Sequence, residues 1–264
     1  MGKEQNIKRV LDGFFYAGLV LELILVLLDK SNYIIQHETF WFRFTFVLFG
    51  IKVFFTKFTK KEWIALVAFG VIGVLSWYFS DREEVIRIVM FCAACKDIKP
   101  KKALTLTFYF TLAGSIIIMM LSFLGIYGDV TRTEMYRNNI LETRYVFGMG
   151  HPNAFHCMLF MLILLWIYIK FDKLNLYKLA AAMGINIIAY FFTVSRTGIM
   201  VTALAIMIAA VMKYIPKFAE WKGLYIIGQI ALLLTVVLAI AVAWYGVGFN
   251  YKGWSSLLLD KNNI

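Results

Sequence analysis

The chain has three cysteines and three prolines in 264 residues, and charged side chains make up only 16% of it. Each scarcity excludes something. So few cysteines cannot carry a disulfide scaffold, and Cys92, Cys95 and Cys157 all lie in apolar stretches. Cys92 and Cys95 form a C-x-x-C with no second pair, which reads as a small packed helix face and not as a metal or redox centre. A cleavage-like small-residue motif is missing behind the first apolar run, where Asp29, Lys30 and Ser31 follow instead. That run is therefore a retained span and not a signal peptide. There is no P-loop, no G-x-S-x-G, no H-E-x-x-H and no D-x-D-like metal motif, so a cytosolic nucleotide cradle does not drive any chemistry here. Low-complexity segments and a clear internal repeat are also missing.

What is present is apolar. The chain is 61% hydrophobic with a mean hydropathy of +0.75. Runs long enough to cross a bilayer, roughly 17–25 residues each, recur along its whole length. The composition predicts an all-α, polytopic transmembrane bundle forming one integral membrane domain over residues 1–264. Nine spans are expected, near Leu11–Leu28, Phe40–Phe55, Trp63–Phe79, Glu84–Cys95, Leu104–Tyr127, Ala154–Phe171, Leu176–Val194, Thr197–Ile215 and Leu224–Tyr245. The fourth is short, and reads as a re-entrant or buried segment as readily as a crossing.

The net charge of +11 does not point to nucleic acid, because the basic residues are dispersed among short loops. They set topology. With the N-terminus inside, sixteen of the nineteen lysines fall in inner segments and five of the eight arginines in outer ones. Every inner loop then obeys the positive-inside rule, and the C-terminus is expected outside. Lysine is the ordinary inner anchor. Arginine on the outer face needs another reason, and its planar fork suits phosphate.

Four groups of residues stand out. Arg196 sits in Thr193-Val194-Ser195-Arg196-Thr197-Gly198, a turn so short that the guanidinium must lie at the membrane surface or between helices. It reads as a ligand contact or as a snorkelling cap. Arg144, His151, Asn153 and His156 surround the start of span six in the longest outer segment, Gly128–Asn153. If that helix begins at Asn153 or Ala154, Asn153 is its cap and the free backbone N–H groups face an anion site. A zinc reading of His151 and His156 is poor, since i, i+5 is a bad helical pairing and no third ligand is near in sequence. Asp81-Arg82-Glu83-Glu84 reads as a salt-bridged helix entry or as a source of a general base. Glu22 and Arg43, at similar depth in spans one and two, are expected to form a buried structural ion pair.

The stretch Arg144–His156, RYVFGMGHPNAFH, then a span, then a further span ending FFTVSRTG, resembles the O-antigen polymerase and O-antigen ligase superfamily of bacterial surface-polysaccharide enzymes. FCAACKDIKPKKAL, at the end of span four, is similar to that family's cytoplasmic turn. The resemblance implies metal-independent glycosyl transfer, with no cofactor, on the outer face of the bacterial cytoplasmic membrane. The donor would be a glycan on undecaprenyl diphosphate and the acceptor a second glycan, giving capsule, exopolysaccharide or O-antigen. It implies that Arg196 and Arg144 contact the diphosphate and that His151 and Asn153 shape the site. Glu142, Asp81 and His151 are the general-base candidates, and His156, Ser195, Arg82 and Arg137 complete the expected substrate contacts. Implied partners are the bilayer, a flippase and a chain-length regulator, with no nucleic acid. Family members usually continue into a large outer loop and more spans. This chain stops at Ile264, so a shortened member is expected, and an inactive fragment is a competing reading. The rival from another class is a transporter or flippase of lipid-linked units. Polar residues gathered at the outer ends of spans, not at the midplane, favour surface chemistry over transport.

Overall fold

A computed structural model describes residues 3–81, 83–136 and 140–248. Helices dominate: α1 (Lys3–Lys30), α2 (Glu38–Phe54), α3 (Lys60–Ser80), α4 (Glu84–Ala94), α5 (Pro100–Phe123), α6 (Pro152–Lys170), α7 (Leu176–Thr193), α8 (Arg196–Tyr214), the short α9 (Pro216–Glu220) and α10 (Lys222–Gly248). Seven of them, α1, α3, α5, α6, α7, α8 and α10, are long and apolar enough to cross a membrane. The two expected spans outside this set are α2, with 17 residues, and α4, with 11. At 1.5 Å per residue α4 covers about 16 Å, half of a hydrocarbon core of about 30 Å. The fourth segment is therefore a half-height helix.

The segment between α5 and α6 is not loop throughout. Strands β1 (Thr131–Tyr136) and β2 (Ile140–Tyr145) form an antiparallel hairpin, with Arg132 opposite Arg144, Thr133 opposite Thr143 and Glu134 opposite Glu142. Side chains alternate across a strand. One face thus carries all four charges. The other carries Thr131, Thr133, Met135, Leu141, Thr143 and Tyr145, with the Thr133 and Thr143 hydroxyls 2.8 Å apart. The all-α expectation holds for the spans and misses this hairpin.

The chain divides into two compact units, residues 1–129 with 147–150, and residues 130–146 with 151–264. The first unit packs α1 to α5 around Phe15, Leu19, Phe49, Val53 and Ala94. Its ion pairs differ from the expected one. Glu22 accepts from Arg87 and from the Thr45 hydroxyl, while Arg43 pairs with Glu83. Helix α4 is the reason. It brings Arg87 to α1, with the guanidinium 3.8 Å over the Phe42 ring, and Glu83 at its entry to α2. The salt-bridged reading of the Asp81–Glu84 entry is what forms around Glu83. Arg43 holds the Glu83 carboxyl below its usual range, against the opposing cost of burial. A carboxylate with a depressed folded-state pKa stabilises above its unfolded value and stops doing so as pH falls through the folded one. Acid titration should therefore lower the unfolding temperature of the wild type, on the acidic side of the ordinary carboxylate range, more than that of Glu83→Gln. Parallel losses would show the pair to be inert.

The loop Phe147–Gly150 belongs to this first unit and is well buried, with Met149 at 0% exposure. Gly148 has φ +78, and its N–H donates to the Asp129 carbonyl at 2.8 Å. A Cβ there would sit 2.9 Å from Ile118 Cγ2 and 3.1 Å from Ser122 Cβ. Positive φ and overpacking each cost roughly 1–3 kcal/mol. Gly148→Ala should thus lower the unfolding temperature of detergent-solubilised protein by several degrees. An unchanged temperature would show that the loop is not held as described.

The second unit packs α6, α7 and α8 around Ile163, Ile167, Leu174, Leu179, Ala182, Ile206 and Ala209. These residues lie at the late end of α6, in the link at Leu174, at the early end of α7 and at the late end of α8. Lys213 closes that end, its Nζ donating to the Phe171 and Asp172 carbonyls at 3.1 and 3.0 Å. The opposite end of the same three helices is polar.

Candidate functional site

The polar end is built on the start of α6, the end of α7 and the turn into α8. Helix α6 begins at Pro152, so its cap lies two residues before the expected Asn153. Pro152 occupies its first position, where the missing N–H costs nothing. His151, not Asn153, is therefore the N-cap, and its Nδ1 accepts from the Asn153 N–H at 3.1 Å. That bond places the ring proton on Nε2 and occupies the nitrogen that would otherwise take a proton from an acceptor hydroxyl. Asn153 itself is exposed.

His156 points inward. It is 0% exposed, as are Asn186 and Thr193. Asn186 Nδ2 donates to the Ile199 carbonyl at 3.1 Å, which turns its Oδ1 toward His156 Nε2 at 2.8 Å. This arrangement makes Nε2 the protonated ring nitrogen. His156 Nδ1 lies 3.2 Å from Thr193 Oγ1, which also donates to the Ala189 carbonyl at 2.8 Å. The single hydroxyl proton of Thr193 serves one of these two acceptors at a time. Buried polar groups are costly unless paired, and here each finds a partner on another helix or in its own.

The network runs on into the turn. Ser195 N–H donates to Thr193 Oγ1 at 3.4 Å, Val194 takes a left-handed conformation at φ 52, and Gly198 N–H donates to Ser195 Oγ at 3.3 Å. Ser195 is thus the N-cap of α8 and is 3% exposed. Arg196 follows as the first residue of that helix and is exposed. Among the described residues its guanidinium makes no ion pair. Asn186 did not stand out in the sequence, and Thr193 entered only as part of the motif around Arg196. An Asn in the middle of an apolar helix was the available signal.

The hairpin joins this end through Tyr145, whose ring meets Phe192 of α7 edge-on at 5.3 Å. On its charged face, Arg144 donates to Glu142 at 2.6 Å and Arg132 pairs with Glu134. Like charges occupy directly opposite positions across the strands, Arg132 with Arg144 and Glu134 with Glu142. Arg144 and Glu142, both expected site residues, are therefore already paired with each other. A partly exposed pair contributes at most about 1 kcal/mol. Glu142→Gln should leave the unfolding temperature nearly unchanged, so any loss of activity in that variant reports on chemistry. A drop of many degrees would assign Glu142 to the fold.

Asp81 ends α3 in the first unit, in a left-handed conformation. Arg82 and Arg137 lie outside the described residues, as does the expected outside C-terminus. No group of three or more His, Cys, Asp or Glu side chains stands together to hold a metal among the described residues.

Seven helices long and apolar enough to cross a bilayer, among the described residues, define a multi-pass helical membrane protein. No protein-family model matches the chain, and no curated protein or solved structure was found to be similar to it.

Proposed function

We propose that this protein transfers a glycan from undecaprenyl diphosphate on the outer face of the bacterial cytoplasmic membrane, polymerising repeat units of a surface polysaccharide. One observation carries the reading. The two stretches on which the family resemblance rests, Arg144–His156 and the FFTVSRTG turn, are far apart in sequence and meet in space. His156 of the first touches Thr193 of the second at 3.2 Å, and its ring lies against Gly198. The helical hairpin of α6 and α7 brings these ends together, and a buried polar bond between the two motifs is what favours one site.

In this reading Arg196 reaches the donor diphosphate and offsets the charge that grows on it as the glycosidic bond breaks. Arg144 supplies a second guanidinium once the ligand draws it from Glu142. The released carboxylate then takes the proton of the acceptor hydroxyl. His151, with Nδ1 occupied, shapes the rim and is a weaker candidate for the base than Glu142. His156 and Ser195 act from beneath the surface and not by touching substrate.

Purified protein in nanodiscs, given a lipid-linked repeat unit, should release undecaprenyl diphosphate and form longer glycans. Movement of the lipid-linked unit between leaflets without chain growth would instead identify a flippase. The absence of both events, in protein that remains folded, would remove the enzymatic reading.

A further inference from the structure

The turn that carries Arg196 rests on the His156 ring. A Cβ at Gly198 would stand 2.5 Å from His156 Cγ and 2.7 Å from Ser195 Oγ, so the first turn of α8 touches the imidazole with no room between them. The ring is fixed from two sides, by Asn186 Oδ1 on Nε2 and by Thr193 Oγ1 at Nδ1. Asn186 also holds the Ile199 carbonyl, and Thr202 Oγ1 donates to the Gly198 carbonyl at 2.8 Å. The bonds to Thr193, Gly198 and Ile199 end within three residues of Arg196, the His156–Asn186 bond holds the ring beneath them, and none touches the guanidinium. The buried groups therefore fix the backbone at Arg196 and leave its head exposed.

We infer that His156, Asn186 and Thr193 are positioning residues whose task is to aim the Arg196 guanidinium at an anionic ligand. The glycine at 198 is what allows the ring to support the turn. This rests on the proposed role of Arg196 in diphosphate binding. A flexible arginine at a loose turn would lose side-chain freedom on binding and pair with poorer geometry. A backbone fixed by three helices reduces that loss, and displacements near 1 Å at such sites are costly.

A double-mutant cycle distinguishes aiming from simple structural support. The readout is binding of farnesyl diphosphate to the purified full chain in nanodiscs, with thermal unfolding recorded for every variant. Arg196→Ala should weaken binding at least about tenfold, the scale of a lost charge-assisted pair. Gly198→Ala, His156→Phe and the milder Thr193→Val should each weaken it several-fold. In the Arg196→Ala background the same changes should add less than about twofold, because the group they aim is gone. His156→Gln should restore most of the affinity, since its terminal amide nitrogen replaces Nε2 as donor to Asn186. If the losses multiply in the Arg196→Ala background, or folded Thr193→Val and His156→Phe bind like the wild type, the positioning role is overturned while that of Arg196 stands. If Arg196→Ala itself binds like the wild type, the diphosphate reading fails and the inference falls with it.

Discussion

Replacing Arg196 by Ala should abolish long polysaccharide chains while leaving the protein as stable as before, or slightly more so. The two halves of this expectation have separate causes. A guanidinium aimed at developing negative charge is worth about 10²–10³ in turnover when removed, by analogy with single donors at other charge-stabilising sites. Yet the same side chain is exposed at the first position of α8 and makes no ion pair among the described residues. A cation there faces the positive end of the helix macrodipole, a cost of about 0.3–1 kcal/mol. A residue kept for structure loses stability when cut back, whereas a residue kept for function loses activity alone. Arg196→Lys keeps the charge without the planar fork and should recover only part of the activity. Polymer length on a gel, read together with protein level and unfolding temperature, separates these outcomes. Long chains at normal protein level in Arg196→Ala would end the proposed role.

The largest effect on folding should come from Asp12. Lys52 of α2 has a side chain only 2% exposed, and its Nζ lies 3.1 Å from Asp12 Oδ1 of α1. Such a pair, with a buried ammonium and a carboxylate 30% exposed, contributes little net stability, because desolvation offsets the attraction. Removing one partner is different. Asp12→Ala leaves an ammonium buried beside an apolar cluster and should cost about 3–5 kcal/mol. Asp12→Asn combined with Lys52→Met removes both charges at nearly constant volume and should cost much less than the single change. Denaturant titration of the detergent-solubilised variants checks the order. A double variant less stable than Asp12→Ala would mean that the ammonium finds other partners and that the pair is not what joins α1 to α2.

Much of the architecture was legible because hydropathy is a local sum. Each long helix announces itself by a run of apolar residues, whatever it later packs against. The hairpin was less legible, since Arg132, Glu134, Glu142 and Arg144 gave its segment the composition of a polar loop. The period-two alternation that places those charges on one face and Thr131, Thr133 and Met135 on the other was nevertheless present in the letters. The α6 cap was misplaced by two residues because Pro152 at the first helical position shifts the cap to His151. Arg196, Ser195 and Arg144 were singled out by composition and motif. The surroundings that give them meaning were not.

By itself the sequence determined the class of the protein, a chain of membrane-length apolar helices, and the stretches most worth inspecting. Tertiary structure alone decided who pairs with whom. Glu22 meets Arg87 across 65 residues and not Arg43, and His156 meets Asn186 and Thr193 across 30 and 37 residues. The physical reason is that a buried charge or amide must find a partner somewhere. Which partner it finds depends on how helices remote in sequence are packed side by side, and no local pattern carries that information.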